Sequence, residues 1–216
     1  MSVCELIDKT KCGSFTLDCV PLFMEKGNLA DEAQRHIHDS HQLTFVLRGS
    51  GTIIVNGIEQ SVREGSVYLI SRHCVHSLIS KTGFEAASIF FYIDELTAQL
   101  HSLKEHPGFQ SMFYLQPSWL SETNSLSNIL QLDYEGIYYV NSLLKLLFEE
   151  ASSDQAGNET IVQSYFMVLT VFLARQYGQI NHVNKNVSSF YKITSYMNEN
   201  YNKIITIEEL LNLSKI

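Results

Sequence analysis

The sequence is short of positive charge, of cysteine and of long apolar runs, and each shortage removes a class of function. Lys and Arg number 15 against 23 Asp and Glu, a formal net charge of -8, which argues against a broad phosphate-binding surface on this chain. Of the four cysteines, Cys4, Cys12 and Cys19 are spaced too widely for a zinc knuckle and lack a nearby fourth ligand, and Cys74 stands alone. Residues 1–5 do not open a positive region followed by an apolar run, so no secretory signal is expected. The thiols then read as reduced, in a cytoplasmic protein. The most apolar stretch, 161–174, is interrupted by Gln163, Ser164 and Thr170 and is no membrane span. Neither a nucleophile elbow nor a phosphate-binding glycine loop occurs.

What is present describes a globular chain. With 216 residues and 45% hydrophobic content, there is room for one sizeable core and a smaller attached unit. From Ser14 to Phe91 short apolar or alternating runs are broken by turn signals, the pattern of an antiparallel barrel or sandwich. Phe15–Val20 alternates and ends at Pro21. Thr52–Val55 is rich in β-branched residues, and Asn56-Gly57 after it is a strong hairpin signal, since both positions of a type I′ turn need positive φ. Ile58–Val62, Ser66–Ser71 and Ala87–Ile93 complete the set.

The chemistry is concentrated in His36-Ile37-His38-Asp39-Ser40-His41-Gln42-Leu43-Thr44-Phe45-Val46-Leu47-Arg48-Gly49. Strand side chains alternate faces, so His36, His38, Gln42, Thr44 and Val46 share one face if the strand runs unbroken, with His41 on the other. Arg48 has the same parity at the strand's end. Imidazole, amide and hydroxyl groups in one wall suit either a metal or a small polar molecule such as a sugar or an organic acid. Tyr68, His76 and Phe91 are the further candidates for that wall.

From Asp94 the period changes to that of helices. Residues 95–105 read as a helix ended by Pro107-Gly108, and an irregular or short helical segment follows. In 134–152, Ile137, Val140, Leu144 and Leu147 recur at helical spacing. Asn158 caps a further helix to Tyr177, whose apolar residues, Val168 and Phe172 among them, cover more than one face. One face of this pair is expected to pack on the domain and another on a second copy of the chain. Residues 179–189 read as a linker and 191–201 as an amphipathic helix. Thr206 opens one more helix, with Glu209 completing a capping box.

Two resemblances follow from these residues. His36-x-His38, the polar Gln42, Gly49, Gly65 and His76 resemble the two motifs of the cupin barrel, whose first motif carries two histidines and a glutamate and whose second carries one histidine. Gln42 stands where the glutamate would be, and His73 where a proline is usual. The C-terminal part, Ile193, Tyr196-Met197, Tyr201 and Ile205–Leu210, is similar to the opening of the DNA-binding domain of AraC-family transcription regulators. Leu144, Leu147–Glu150 and Leu169, Leu173–Arg175 resemble the helical pair with which those regulators dimerise.

The resemblance implies an α+β fold. It comprises a cupin-like antiparallel β-barrel over 1–120, a helical dimerisation region over 121–182, and a linker with the first helices of a helix-turn-helix domain over 183–216. It also implies a small-molecule effector, a homodimer, promoter DNA as partner of the full-length protein but not of this fragment, and no membrane. The expected effector contacts are His36, His38, Gln42, Thr44, Arg48, Tyr68, His76 and Phe91; the expected dimer seam is Ile137, Val140, Leu144, Leu147, Val168 and Phe172. A glutamine offers no anionic oxygen to a divalent ion, so no metal cofactor is expected; any metal would take His36, His38, Gln42 and His76. The rival is a metal-dependent cupin enzyme, a dioxygenase or an isomerase, with the ion as Lewis acid.

Overall fold

In the computed structural model, the described residues are 5–6, 14–15, 22–28, 35–80, 83–94, 96, 103, 106–114, 129–180, 192–193, 196–197 and 200–214. Eleven strands among them form two sheets. The strands are β1 (Glu5–Leu6), β2 (Ser14–Phe15), β3 (Leu22–Asn28), β4 (His36–Ile37), β5 (His41–Arg48), β6 (Ser50–Val55), β7 (Ile58–Arg63), β8 (Ser66–Ile70), β9 (His76–Ser80), β10 (Glu85–Phe91) and β11 (Ile129–Gln131). One sheet has the order β1-β4-β9-β6-β7 and the other β11-β8-β5-β10-β3-β2. All pairings but β1 with β4 are antiparallel. The Asn56-Gly57 signal makes the expected hairpin between β6 and β7, with φ of 49° and 85° at its two central residues.

The histidine strand does not run unbroken. It bends at Asp39-Ser40, so that β4 belongs to the first sheet and β5 to the second. The chain thereby turns a corner of the barrel while His36, His38, Gln42 and Thr44 keep facing its interior.

Helices among the described residues include α1 (Pro107–Phe109), which runs into a π-turn at Gln110–Tyr114, then α2 (Tyr134–Ala151), α3 (Asn158–Ile180) and α4 (Ile207–Ser214). Asp133 caps α2 by accepting from the Gly136 amide at 2.8 Å. The capping box of α4 forms as the sequence indicates: Glu209 Oε2 accepts from the Thr206 amide at 2.8 Å, and Thr206 Oγ1 from the Glu209 amide at 3.2 Å. The helix expected over 95–105 lies mostly outside the described residues, as do most of the strand expected over 15–20, the linker expected over 179–189 and much of the helix expected over 191–201. Strand β11, which adds an edge beside β8, has no counterpart in the sequence reading.

Two apolar cores result, one on each face of the second sheet. Val46, Tyr68, Ile70 and Ala86 point between the sheets with Ile53, Val55, Val62, Leu78 and Phe84. Leu43, Phe45, Val67, Leu69, Ile89 and Phe91 point outward and meet Phe109, Phe113, Val140, Leu144, Leu147, Phe166 and Leu173 of the helical layer. Strand β8 is buried at every residue because both its faces are covered. This outer core corrects the seam expected on α2: Val140, Leu144 and Leu147 are at most 4% exposed and pack on the sheet. Ile137 is half-buried against the same core. The apolar stripe of α2 packs on its own barrel.

Candidate ligand-binding site

The site is built where the two sheets come together around three imidazoles. His36 and His76 are register partners across β4 and β9, and their rings meet edge to face at 4.2 Å between centroids. His38 lies 4.9 Å from each of them and 4.9 Å from the ring of Phe90. One ring nitrogen from each histidine falls within 4.8 Å of the others.

The loop between β8 and β9 fixes this arrangement. The His73 amide, at a φ of 64°, donates to the carbonyl of His38 at 2.7 Å. His76 Nδ1 lies 3.0 Å from the Cys74 carbonyl; a carbonyl only accepts, so Nδ1 carries the proton. His76 is 3% exposed, and its Nε2 has no hydrogen-bond partner among the described residues. Burial is the main reason its pKa falls to about 3, with the neighbouring His36 and His38 adding to the depression and the Cys74 bond opposing it. The ring is therefore neutral at physiological pH.

From His38 a row of polar groups runs down the interior face of the second sheet. His38 Nε2 bonds Gln42 Oε1 at 3.1 Å, and Gln42 Nε2 donates to Ser88 Oγ at 3.1 Å. Ser88 Oγ in turn lies 3.0 Å from Thr44 Oγ1, which bonds the hydroxyl of Tyr68. Register explains the row, since β10 sets Ser88 opposite Thr44 and β8 sets Tyr68 opposite Thr44 on the other side. Burial pushes the Tyr68 phenol well up, so it stays a neutral donor.

Six of the eight expected contact residues are thus brought together: His36, His38, Gln42, Thr44, Tyr68 and His76. The other two are not. Phe91 is fully buried on the opposite face of its strand, where it packs against His41, Phe113 and Phe166. The parity of β10 presents its neighbour Phe90 instead. Arg48 is exposed, at the end of β5 where the pairing with β10 is bulged. Ser88 and Phe90 were missed because an isolated strand has no mark for which of its two faces turns inward. His41 is not part of the site: it is 7% exposed under the helices, and burial is the main reason its pKa falls to about 4. His106 is half-buried beside α3 at Gly178.

Two facing antiparallel sheets around an imidazole-lined interior, with helices seated on the outside of one sheet, define a cupin-type barrel with an attached helical layer. The model of the AraC-like ligand-binding domain matches residues 24–169, well over half of the chain, and the chain belongs to that family. Among solved structures, apo ToxT from Vibrio cholerae strain SCE256, in a lysine-to-alanine variant, is similar over 90% of this chain and 69% of its own, at 11% identity and a TM-score of 0.47. An RmlC-like cupin from Shewanella frigidimarina NCIMB 400 is similar over 33% of this chain and 65% of its own, at 19% identity and a TM-score of 0.30. Salicylate 1,2-dioxygenase from Pseudoaminobacter salicylatoxidans, with gentisate, is similar over 38% of this chain and 22% of its own, at 14% identity and a TM-score of 0.31. A search of curated proteins by sequence finds no match.

Proposed function

We propose that this chain is the effector-sensing and dimerising part of an AraC-type transcription regulator, dividing into a barrel over 1–120, a helical region over 121–182 and the start of a DNA reader over 183–216. The observation that carries the reading is the double-faced second sheet. Its inner face holds the polar row Gln42, Ser88, Thr44 and Tyr68, and its outer face is the seat of α2 and α3. A molecule that rearranges the inner row shifts the strands on which the helices rest, and biases how two copies present their DNA readers.

The effector that suits this wall is small and polar, with hydroxyl or carboxyl groups to exchange hydrogen bonds with the imidazoles, the amide and the hydroxyls. Contact residues under this reading are His36, His38, Gln42, Thr44, Tyr68, His76, Ser88 and Phe90. The second copy would sit on the outer side of the helix pair, where Tyr138, Leu146, Ile161 and Val168 are exposed large hydrophobics and Tyr139 stacks obliquely on the half-buried Phe172 at 4.5 Å. Among the described residues no helix is long and apolar enough to cross a membrane, which fits a cytoplasmic regulator. A metal-dependent cupin enzyme is the second reading, favoured by the imidazole cluster alone; metal-dependent turnover of a small aromatic acid would establish it.

The test is a thermal-shift panel of sugars and small organic acids, run with a chelator present. A site-filling compound at a hundred times its Kd stabilises the fold by about 2.7 kcal/mol. At least one compound should raise the melting temperature, and the shift should vanish in Gln42→Leu. A panel with no responder, or a shift retained in that variant, contradicts the reading.

A further inference from the structure

We infer that the helical layer carries a recess for a guanidinium group, and that a second copy of the chain fills it with Arg175. This rests on the dimeric reading above and goes further by naming the groups that join the copies.

The recess lies where the first turns of α2 pass the last turns of α3, and its volume is about 390 Å³. Its walls are aromatic: Tyr134, Tyr138 and Tyr139 of α2 and Phe172 of α3. Tyr139 and Phe172 hold each other at 4.5 Å between ring centroids, tilted by 40°. Tyr134 and Tyr138 stand 85% and 73% exposed. Adjoining rings left so far in water mark a surface that a partner covers.

The rim of the recess is acidic. Asp133 and Glu135 line it, and among the described residues no basic side chain does. Asp133 Oδ1 is engaged by the Gly136 amide at the start of α2. The exposed Glu135 carboxylate has no hydrogen-bond or ion-pair partner among the described residues. Ring faces and a carboxylate both attract a cation. A guanidinium suits the combination best, because its flat face stacks on a ring while its edge donates to the carboxylate.

The chain itself carries a group to fill the recess. Between 129 and 180 the only basic residues are Lys145 and Arg175. Lys145 already lies 3.8 Å from Glu149, one turn further along α2. Arg175 is exposed, and its guanidinium has no hydrogen-bond or ion-pair partner among the described residues. Nor does it lie in its own recess, although its helix neighbours Phe172 and Gln176 do.

Symmetry makes the match. Ile161, Val168 and Arg175 recur every two turns along one exposed edge of α3, so Arg175 ends the apolar stripe assigned to the second copy. A two-fold contact joins a patch to its own complement, and both the recess and the arginine lie at the same end of that stripe. With the axis beside residues 172–175, the two α3 helices run antiparallel and each Arg175 stands level with Phe172 of the other copy. Two identical cation–aromatic contacts then flank the axis. Tyrosine and arginine are also the residue types on which interfaces concentrate their binding free energy.

The test is sedimentation equilibrium of the whole chain and of variants at the exposed positions Glu135, Tyr138 and Arg175. Arg175→Glu and Glu135→Arg should each weaken the dimer by about tenfold or more. The double variant with both changes reverses the pair and should recover most of that loss. Tyr138→Ala should weaken the dimer by about 3- to 30-fold, whereas Tyr138→Phe, which keeps the ring, should leave it as in the parent. A dimer undiminished in Arg175→Glu overturns the pairing and leaves the dimeric reading standing, as does a double variant no tighter than the weaker single one. A parent chain that stays monomeric overturns both. An undiminished Arg175→Glu dimer, with calorimetric binding of tetramethylammonium that Tyr138→Ala abolishes, assigns the recess to a free organic cation instead of a second copy.

Discussion

His41 and Gln42 are neighbours in the chain and face opposite sides of one strand. Gln42 bonds His38 and Ser88 inside the barrel, while His41 lies on Phe91 at 5.5 Å between ring centroids, beneath the helical layer. Under the proposed sensing role, a displacement of β5 at this point is felt by both cores. The first prediction concerns the His41 side of this pair.

Burial is the first cause of the depressed pKa of His41, about 4, with the Arg72 charge second. The unfolded chain takes up a proton near the ordinary value of 6.5 that the folded protein refuses until about pH 4. The stability that neutral His41 contributes is therefore present above pH 6.5 and is lost as pH falls from 6.5 towards 4. The loss is at most about 1.4 kcal/mol per pH unit for one such group. His76, depressed to about 3, adds a loss of the same sign. Urea unfolding of metal-free protein at pH 7 and pH 5 should show the decline, and His41→Gln should remove about half of it.

The interior row makes a second prediction. Thr44→Val keeps shape but leaves the Tyr68 hydroxyl without its Thr44 partner and breaks the Ser88 contact. Leaving buried polar groups without partners costs about 1–3 kcal/mol, read as a lower denaturation midpoint with an unchanged denaturant slope.

The helical layer separates fold from association. Leu147 is fully buried in the outer core, so Leu147→Ala should cost about 2–5 kcal/mol. Val168 is 44% exposed, and Val168→Asp should leave the melting temperature of the monomer within a few degrees. Sedimentation equilibrium should find the second variant dissociated under conditions where the parent protein is dimeric. Equal dimerisation by Val168→Asp would move the seam elsewhere.

Helix α1 crosses α3 at glycine. A Cβ on Gly108 would lie 2.0 Å from the carbonyl oxygen of Ala174 and 2.8 Å from the amide nitrogen of Gly178. Gly108→Ala must push the two backbones apart and should cost about 1–3 kcal/mol or more. Gly57, at the tip of the β6–β7 hairpin, meets nothing within 4 Å but has a φ of +85°. Gly57→Ala should cost only the strain of that conformation, on the order of 1 kcal/mol. Thermal melts of the two variants compare crowding with backbone strain directly.

The order of elements was legible in the sequence because period and turn chemistry are local. Asn56-Gly57, the helical stripe from Ile137 to Leu147 and the Thr206–Glu209 capping box each act within a few residues of themselves. The imidazole cluster was legible for a partly wrong reason. An unbroken strand was expected to align His36, His38 and Gln42, whereas a bend at Asp39-Ser40 carries the chain between sheets and the interior corner keeps them together. Phe91 and Phe90 could not be told apart, because which face of β10 turns inward is decided by its pairing with β5 and β3 and not by its own residues. The stripe on α2 is equally suited to a barrel or to a second helix pair, and only the outward-facing Leu43, Phe45 and Ile89 settle that it meets the barrel.

The most direct test of the account is hydrogen exchange of the chain with and without a compound that the thermal-shift panel selects. Coupling through the second sheet predicts slowed exchange in 41–48 and 85–91, accompanied by a change in 134–151 and 158–180, and both effects lost in Gln42→Leu. Protection confined to the barrel, with the two helices exchanging as before, would contradict a sensor that reports through them.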